Sequence, residues 1–256
     1  MDVLYKPDVG PVHNDVAEVM KNGLRTVIQT IITMDREDPF IGHLVAVMLS
    51  IFRQMTPHHY RNYLGNFNHT NQLDFLIEIL LVFKDLVARN VYPTEWAQMV
   101  LLQNSIILKA LRFFSHTIRD SYSNPFEPQV WNNYFHCAVT FVTQPALQME
   151  SFSPSKRRMV MTKYRDMRRE MGFEIRSMWF NLGQHKIHFV PAMVGPFLEM
   201  TLLPETELRK ATIPIFFDMM QCEYYSPRVQ GEAYSDTKRD SSHSKVRRLS
   251  SSFQTV

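Results

Sequence analysis

The chain has 256 residues, of which 45% are apolar, 8 are glycine and 2 are cysteine, with a formal net charge of +3. That length can bury a substantial core in one large domain or two small ones, and the glycine count suits helices better than a sandwich or barrel. The excess charge lies in 226–256, where six Lys and Arg face three acids, so 1–225 balances 22 basic against 22 acidic residues and bulk charge does not favour nucleic-acid binding by the body.

In chain order, the opening MDVLYKPDVG lacks a basic-then-apolar leader, so secretion is not expected. Cys137 and Cys222 are too few for a disulfide framework and suit a reducing compartment. From residue 14 onward apolar residues recur at helical spacing, as in Phe40, Leu44, Val47, Met48, Ile51, Phe52 and Met55. The pattern predicts helices near 14–34, 40–55, 57–66, 71–90, 94–120, 128–143, 154–182, 190–202 and 205–224, with a kink at Pro214. Asp38-Pro39, Thr56-Pro57 and Ser153-Pro154 each place a capping side chain before a proline, which fits a helix start because the N–H missing there has no partner to lose. Gly183 is the expected stop of the 154–182 pattern. The short connections predict antiparallel neighbours, and helices in tandem without alternating strands predict an all-α, irregular HEAT or armadillo-like α-solenoid.

Neither greasy stretch reads as a bilayer span: LDFLIEILLVF is short and carries Asp74 and Glu78, and IHFVPAMVGPFLEMTLL carries His188, Pro191, Pro196 and Glu199. The sequon at Asn68-His69-Thr70 is incidental in a chain without a signal peptide. After Tyr225, the 31 residues 226–256 hold ten Ser and Thr and two aromatics, too little apolar surface to offset ordering, so a disordered tail is expected.

Sites of chemistry are sparse. His185 and His188 offer two metal ligands where a zinc site needs three or four, and no Asp or Glu lies between Glu174 and Glu199. His58, His59 and His69 form a looser group whose adjacent members point about 100° apart on a helix. Connector or surface roles are the expectation for all five, and no metal or cofactor is expected. No GxSxG, P-loop or GxGxxG occurs, and Cys137 falls on an apolar helical face as a structural thiol. In SKRRMVMTKYRDMRRE, Val160, Tyr164, Met167 and Met171 gather on one side of a helical wheel. Arg157, Arg158, Arg165, Arg168 and Arg169 run from its edge round the back. That stripe is either the solvated face of a core helix or a docking strip for an acidic partner or anionic lipid, since arginine forks pair carboxylate and phosphate bidentately. RRLSSSF presents Ser250 as a candidate basophilic kinase site. FQTV lacks the Ser or Thr two residues before Val256 that a typical PDZ ligand needs.

Three stretches carry a resemblance: VWNNYFHCAVTFVTQPALQME, KYRDMRREMGFEIRSMWFNLGQHKIHFVPAMVGPFLEMTL and PETELRKATIPIFFDMMQCE. With FKDLVARNVYPTEW and MDVLYKPDVGPVH they resemble the dedicator-of-cytokinesis (DOCK) family, in its Rac-activating branch that includes myoblast city, over about residues 1–224. The resemblance implies the armadillo-like helical region between the lipid-binding and exchange domains of a guanine nucleotide exchange factor. It places residues 1–225 as a helical scaffold segment and makes 226–256 a departure from the family pattern. It also implies that His185 and His188 lie in an interhelical stretch. The exchange domain is not expected in this chain, so no family catalytic residue is carried over. The implied function is a non-catalytic scaffold in Rac signalling, cytoplasmic, able to be recruited to the plasma membrane. Its partners would be an ELMO-type adaptor or other regions of the exchange factor, with weak anionic-membrane contact through the tail. The alternatives are an enzyme with an unrecognised site and a truncated product that interferes with the full-length protein.

Overall fold

The computed structural model describes residues 13–93 and 95–224, and within them the chain is all-α, with no strand and one isolated bridge between Ser123 and Phe126. Helix α1 (His13–Val19) passes through a π-helical turn at Met20–Leu24 into α2 (Arg25–Thr33). Then follow α3 (Ile41–Gln54), α4 (Pro57–Gly65), α5 (His69–Ala88), α6 (Ala97–Ser121) and α7 (Pro128–Thr143). Two short 3-10 turns, Pro145–Leu147 and Met149–Ser151, lead to α8 (Pro154–Tyr164) and α9 (Met167–Asn181). A third, Gly183–His188, precedes α10 (Val190–Leu202) and α11 (Thr206–Tyr224).

The helix ends have local causes. Thr56 closes a capping box on α4, its hydroxyl accepting from the His59 N–H while the His59 ring takes the Thr56 N–H, and Pro57 supplies the first turn. Ser153 accepts from Lys156 N–H at the start of α8. Asn68 accepts from Asn71 N–H at 2.8 Å, so α5 begins at His69, two residues before the spacing suggests, and the sequon asparagine is a helix cap. Gly183 stands at φ 56° just beyond α9, a backbone region where a Cβ is costly.

The predicted helix over 154–182 is two helices. Arg165 takes φ 58° and ψ −166°, which ends α8, and the Asp166 carboxylate accepts from Arg168 N–H at 3.0 Å to start α9. The RD pair carried this signal, but in a run of charges it reads as one more turn of solvated helix.

Packing gives the stack its form. Helix α5 packs on α7, α7 on α9, and α9 on α11, so alternate helices form a row, with α6 against α3, α7 and α9. Of the neighbours expected to pair, α10 packs most extensively on α11, followed by α2 on α3, α6 on α7 and α5 on α6, so the expectation holds for part of the stack, and the alternate row is the arrangement of a solenoid. One apolar cluster runs from Met20 to Met219. Its first half centres on Phe52, Tyr60, Phe83 and Phe114, whose ring centroids lie 5.5–6.3 Å apart, and its second on Phe135, Trp179 and Phe197 at 5.5–6.2 Å. Helix α8 stands at the margin, with Val160 as its one fully buried residue.

Gly172 sets the approach of α9 to α11. A Cβ there would lie 2.5 Å from Leu208 Cδ1 and 3.6 Å from Leu208 Cα, and Leu208 is fully buried. Gly172→Ala should therefore destabilise the fold by about 1–3 kcal/mol, with most of that cost removed when Leu208 is already Ala. Urea denaturation of the single and double variants measures it, and equal costs in both backgrounds would reject this contact as the cause.

A candidate interaction surface at the α8–α9 corner

The corner is built on an arginine that the sequence places in the wrong environment. Arg168 is 1% exposed and uses all its N–H groups internally. Its Nε and Nη2 donate to Asp166 at 3.1 and 2.8 Å, and Nη1 and Nη2 to Glu150 at 2.8 and 3.0 Å, while Nη1 also donates to Gln148 at 2.9 Å. Gln148 in turn donates to the Val142 and Gln144 carbonyls, and Gln144 exchanges side-chain hydrogen bonds with buried Asn104 at 3.0 and 3.2 Å. The network runs from α6 through the 144–152 connection to α9. Burial opposes the Arg168 charge, but the two carboxylates outweigh it and raise its pKa. The hydrogen bonds from Arg168 are also the chief reason the Glu150 carboxyl sits below the ordinary glutamate range.

Arg168 therefore leaves the predicted docking strip, because its charge is consumed inside the fold. The other four members are exposed. Arg157 is tied by Nε and Nη2 to the Met149 and Glu150 carbonyls at 2.9 and 3.0 Å. Arg169 lies 3.7 Å from the Glu205 carboxylate. Arg158 and Arg165 have no carboxylate partner among the described residues. Arg165 holds a backbone conformation that normally requires glycine, at a cost of about 1–3 kcal/mol. Ser250 lies outside the described residues.

The histidines take structural places. His185 stacks on Phe126 with centroids 3.9 Å apart and planes 5° from parallel, and His188 lies 6.1 Å from both rings. Between them Lys186 reaches Asp218 of α11 at 2.9 Å, and the same carboxylate accepts from Trp179 Nε1 at 2.7 Å. The 183–188 turn is thus a clasp between α9 and α11. His59 serves the α4 cap, and His69 packs 4.7 Å from the Tyr122 ring. Among the described residues no three His, Cys, Asp or Glu side chains are placed to hold a metal, and no helix is long and apolar enough to cross a membrane. Cys137 is buried, which pushes its thiol up to about 12 and removes thiolate reactivity near neutral pH.

Sequence reasoning missed Asp166, Glu150 and Asp218 as structural anchors. The Asp-x-Arg spacing at 166–168 was the one local signal; Glu150 and Asp218 meet their partners only through the fold.

A stack of helices that spends its main polar network on a joint has the architecture of a helical-repeat region. Residues 1–238 match the family model described as the dedicator of cytokinesis (DOCK) TPR region. Over 184 residues, 71% of this chain, it is 47% identical to dedicator of cytokinesis protein 4 of Homo sapiens and 44% identical to dedicator of cytokinesis protein 3 of Mus musculus. The chain belongs to the DOCK family, and the matched part spans 9% of the length of those relatives. Its described helices, of 7 to 25 residues, keep no even period of the kind a regular TPR array has.

Arg168→Met, which keeps the apolar stem and removes the fork, should destabilise the fold by about 3 kcal/mol by leaving the Asp166 carboxylate without its partner. Because Glu150 is depressed in the folded state, its contribution is complete above the ordinary glutamate pKa of about 4.3 and is lost as pH falls through the lower folded value. The stability gap between wild type and variant should therefore narrow below about pH 4, and a gap constant from pH 7 to pH 3 in urea melts would contradict the assignment.

Proposed function

We propose that the chain is a non-catalytic scaffold segment of a DOCK-type guanine nucleotide exchange factor in Rac-type small GTPase signalling. It works in the cytoplasm, holding other parts of the exchange factor in register or binding protein partners such as an ELMO-type adaptor. The observation that supports this reading is the match itself: it falls on the family's helical-repeat region, and the described residues form a helix stack around one continuous core. Arg157, Arg158, Arg165 and Arg169 supply an exposed basic edge suited to an acidic partner. Purified chain should leave nucleotide release from Rac at its intrinsic rate, followed with a fluorescent GDP analogue. Clear acceleration would overturn the non-catalytic reading.

In this proposal 226–256 is a separate basic tail, whose excess of three positive charges draws it weakly to anionic membrane at the cell surface. Phosphate on Ser250 would add roughly −1.5 to −2 charges and remove most of that excess. Ser250→Glu should therefore weaken binding to phosphatidylserine vesicles at low salt, whereas equal binding by both forms, or none by either, would reject the switch.

A further inference from the structure

Between the outer face of α6 and the α8–α9 corner lies an open groove of about 640 Å³. Its apolar lining comes from Leu108 and Phe113 on α6 and from Tyr164 and Met167 across the gap. Phe113 is fixed in place by stacking on Tyr60, with centroids 4.4 Å apart and planes 14° from parallel. The floor is therefore preformed, and its volume falls in the range of about 300–1,000 Å³ that binding clefts occupy.

Two cations flank this floor without an acid of their own. Lys109 is half-buried, and its one hydrogen bond among the described residues goes to the Met55 carbonyl at 2.6 Å, which leaves two N–H donors for something else. Burial lowers its pKa, the mark of an ammonium whose desolvation no carboxylate offsets. Lys163, on the opposite wall, is exposed, lies over the Tyr164 ring at 5.2 Å and has no ion pair among the described residues. The other charges of the lining, Arg112 and Glu170, pair at 3.1 Å, and Arg112 also reaches Glu174 outside the lining at 3.3 Å, so this cluster of one cation and two acids leaves the two lysines in excess. His116 adds a further ring at the same rim.

We propose that this groove docks an acidic segment of a partner protein, one apolar side chain entering between Phe113 and Met167 while flanking carboxylates meet Lys109 and Lys163. The chemistry selects that occupant. The residues of 226–256 carry six basic against three acidic side chains, so the chain's own tail is repelled. A membrane surface meets exposed cations on a convex face, whereas Lys109 lies half-buried between helices, within reach of a chain that enters. Two separated ammonium groups act as point charges, which suits carboxylates spaced along a peptide better than one compact bidentate ligand. The inference deepens the scaffold reading and rests on it only for the kind of partner, since the groove can be tested without reference to nucleotide release.

The test uses the whole chain and a panel of fluorescein-labelled hexapeptides, each with two glutamates on either side of a central pair drawn from Leu, Phe, Met and Trp. Anisotropy should show salt-sensitive binding by members of the panel at about 100 µM or below. Binding should fall about tenfold in Lys163→Glu and in Lys109→Gln, and also when the central pair is Ala-Ala. Lys163 is exposed and touches only the Tyr164 ring among the contacts of the described residues, so a thermal melt of Lys163→Glu that matches wild type separates loss of docking from loss of fold. The proposal is overturned if no member binds, if binding survives both lysine variants, or if peptides with lysine in place of glutamate bind as well. Lysine-dependent binding to phosphatidylserine vesicles without peptide binding would assign the groove to lipid and would also overturn it.

Discussion

A guanidinium carried out of water into the joint between helices must be met by carboxylates, and here that requirement organises the whole middle of the molecule. Arg168 draws Asp166 from its own helix start and Glu150 from the preceding connection, and Gln148 extends the link to α7 and to Asn104 of α6 through Gln144. A buried charge pair of this kind contributes less net stability than its hydrogen bonds suggest, because desolvation offsets much of the attraction. What it contributes is geometry. The 144–152 segment has only two brief 3-10 turns to define it, and the network fixes where it enters α8. Without that joint, α8 would be held by Val160, the part-buried Met159 and Tyr164, and the Arg157 contacts.

The same corner explains how an exposed arginine comes to sit in a conformation suited to glycine. Arg165 must break the helical path between α8 and α9, and Asp166 is already committed to capping the helix that follows. The strain is small beside the burial of Met167, Met171, Ile175 and Trp179 that the turn makes available, each worth about 1.5–3 kcal/mol relative to exposure. The turn also separates two kinds of charge. One arginine goes inward to hold the joint, and the other four remain exposed.

Toward the described C-terminal end, the clasp at 183–188 does a comparable job with different chemistry. Asp218 receives both the Trp179 indole N–H and the Lys186 ammonium, while Lys186 also lies 4.9 Å from the Phe180 ring. His185 closes the other side against Phe126. A connector between helices cannot bury apolar bulk on a regular face, so ring stacking and one shared carboxylate supply what periodicity cannot.

Patterns along the chain were enough to show that the described residues would be helical, where most of the helices would lie, and that Thr56, Ser153 and Gly183 would mark their ends. Those are local properties: spacing of apolar residues, a hydroxyl before a proline, a glycine where φ turns positive. The family was legible too, because long stretches such as KYRDMRREMGFEIRSMWFNLGQHKIHFV are specific strings and need no geometry. The candidate surface was legible only in outline. Five arginines at helical spacing look alike on a wheel, and only the stack shows that Arg168 faces Glu150, 18 residues earlier, while Arg158 and Arg165 face water. The break inside 154–182, the alternate-helix row, the pairing of Lys186 with Asp218 and the groove beside Lys109 were likewise decided by tertiary structure. Each depends on which element arrives opposite which, and a buried charge or an open cleft is defined by its neighbours in space.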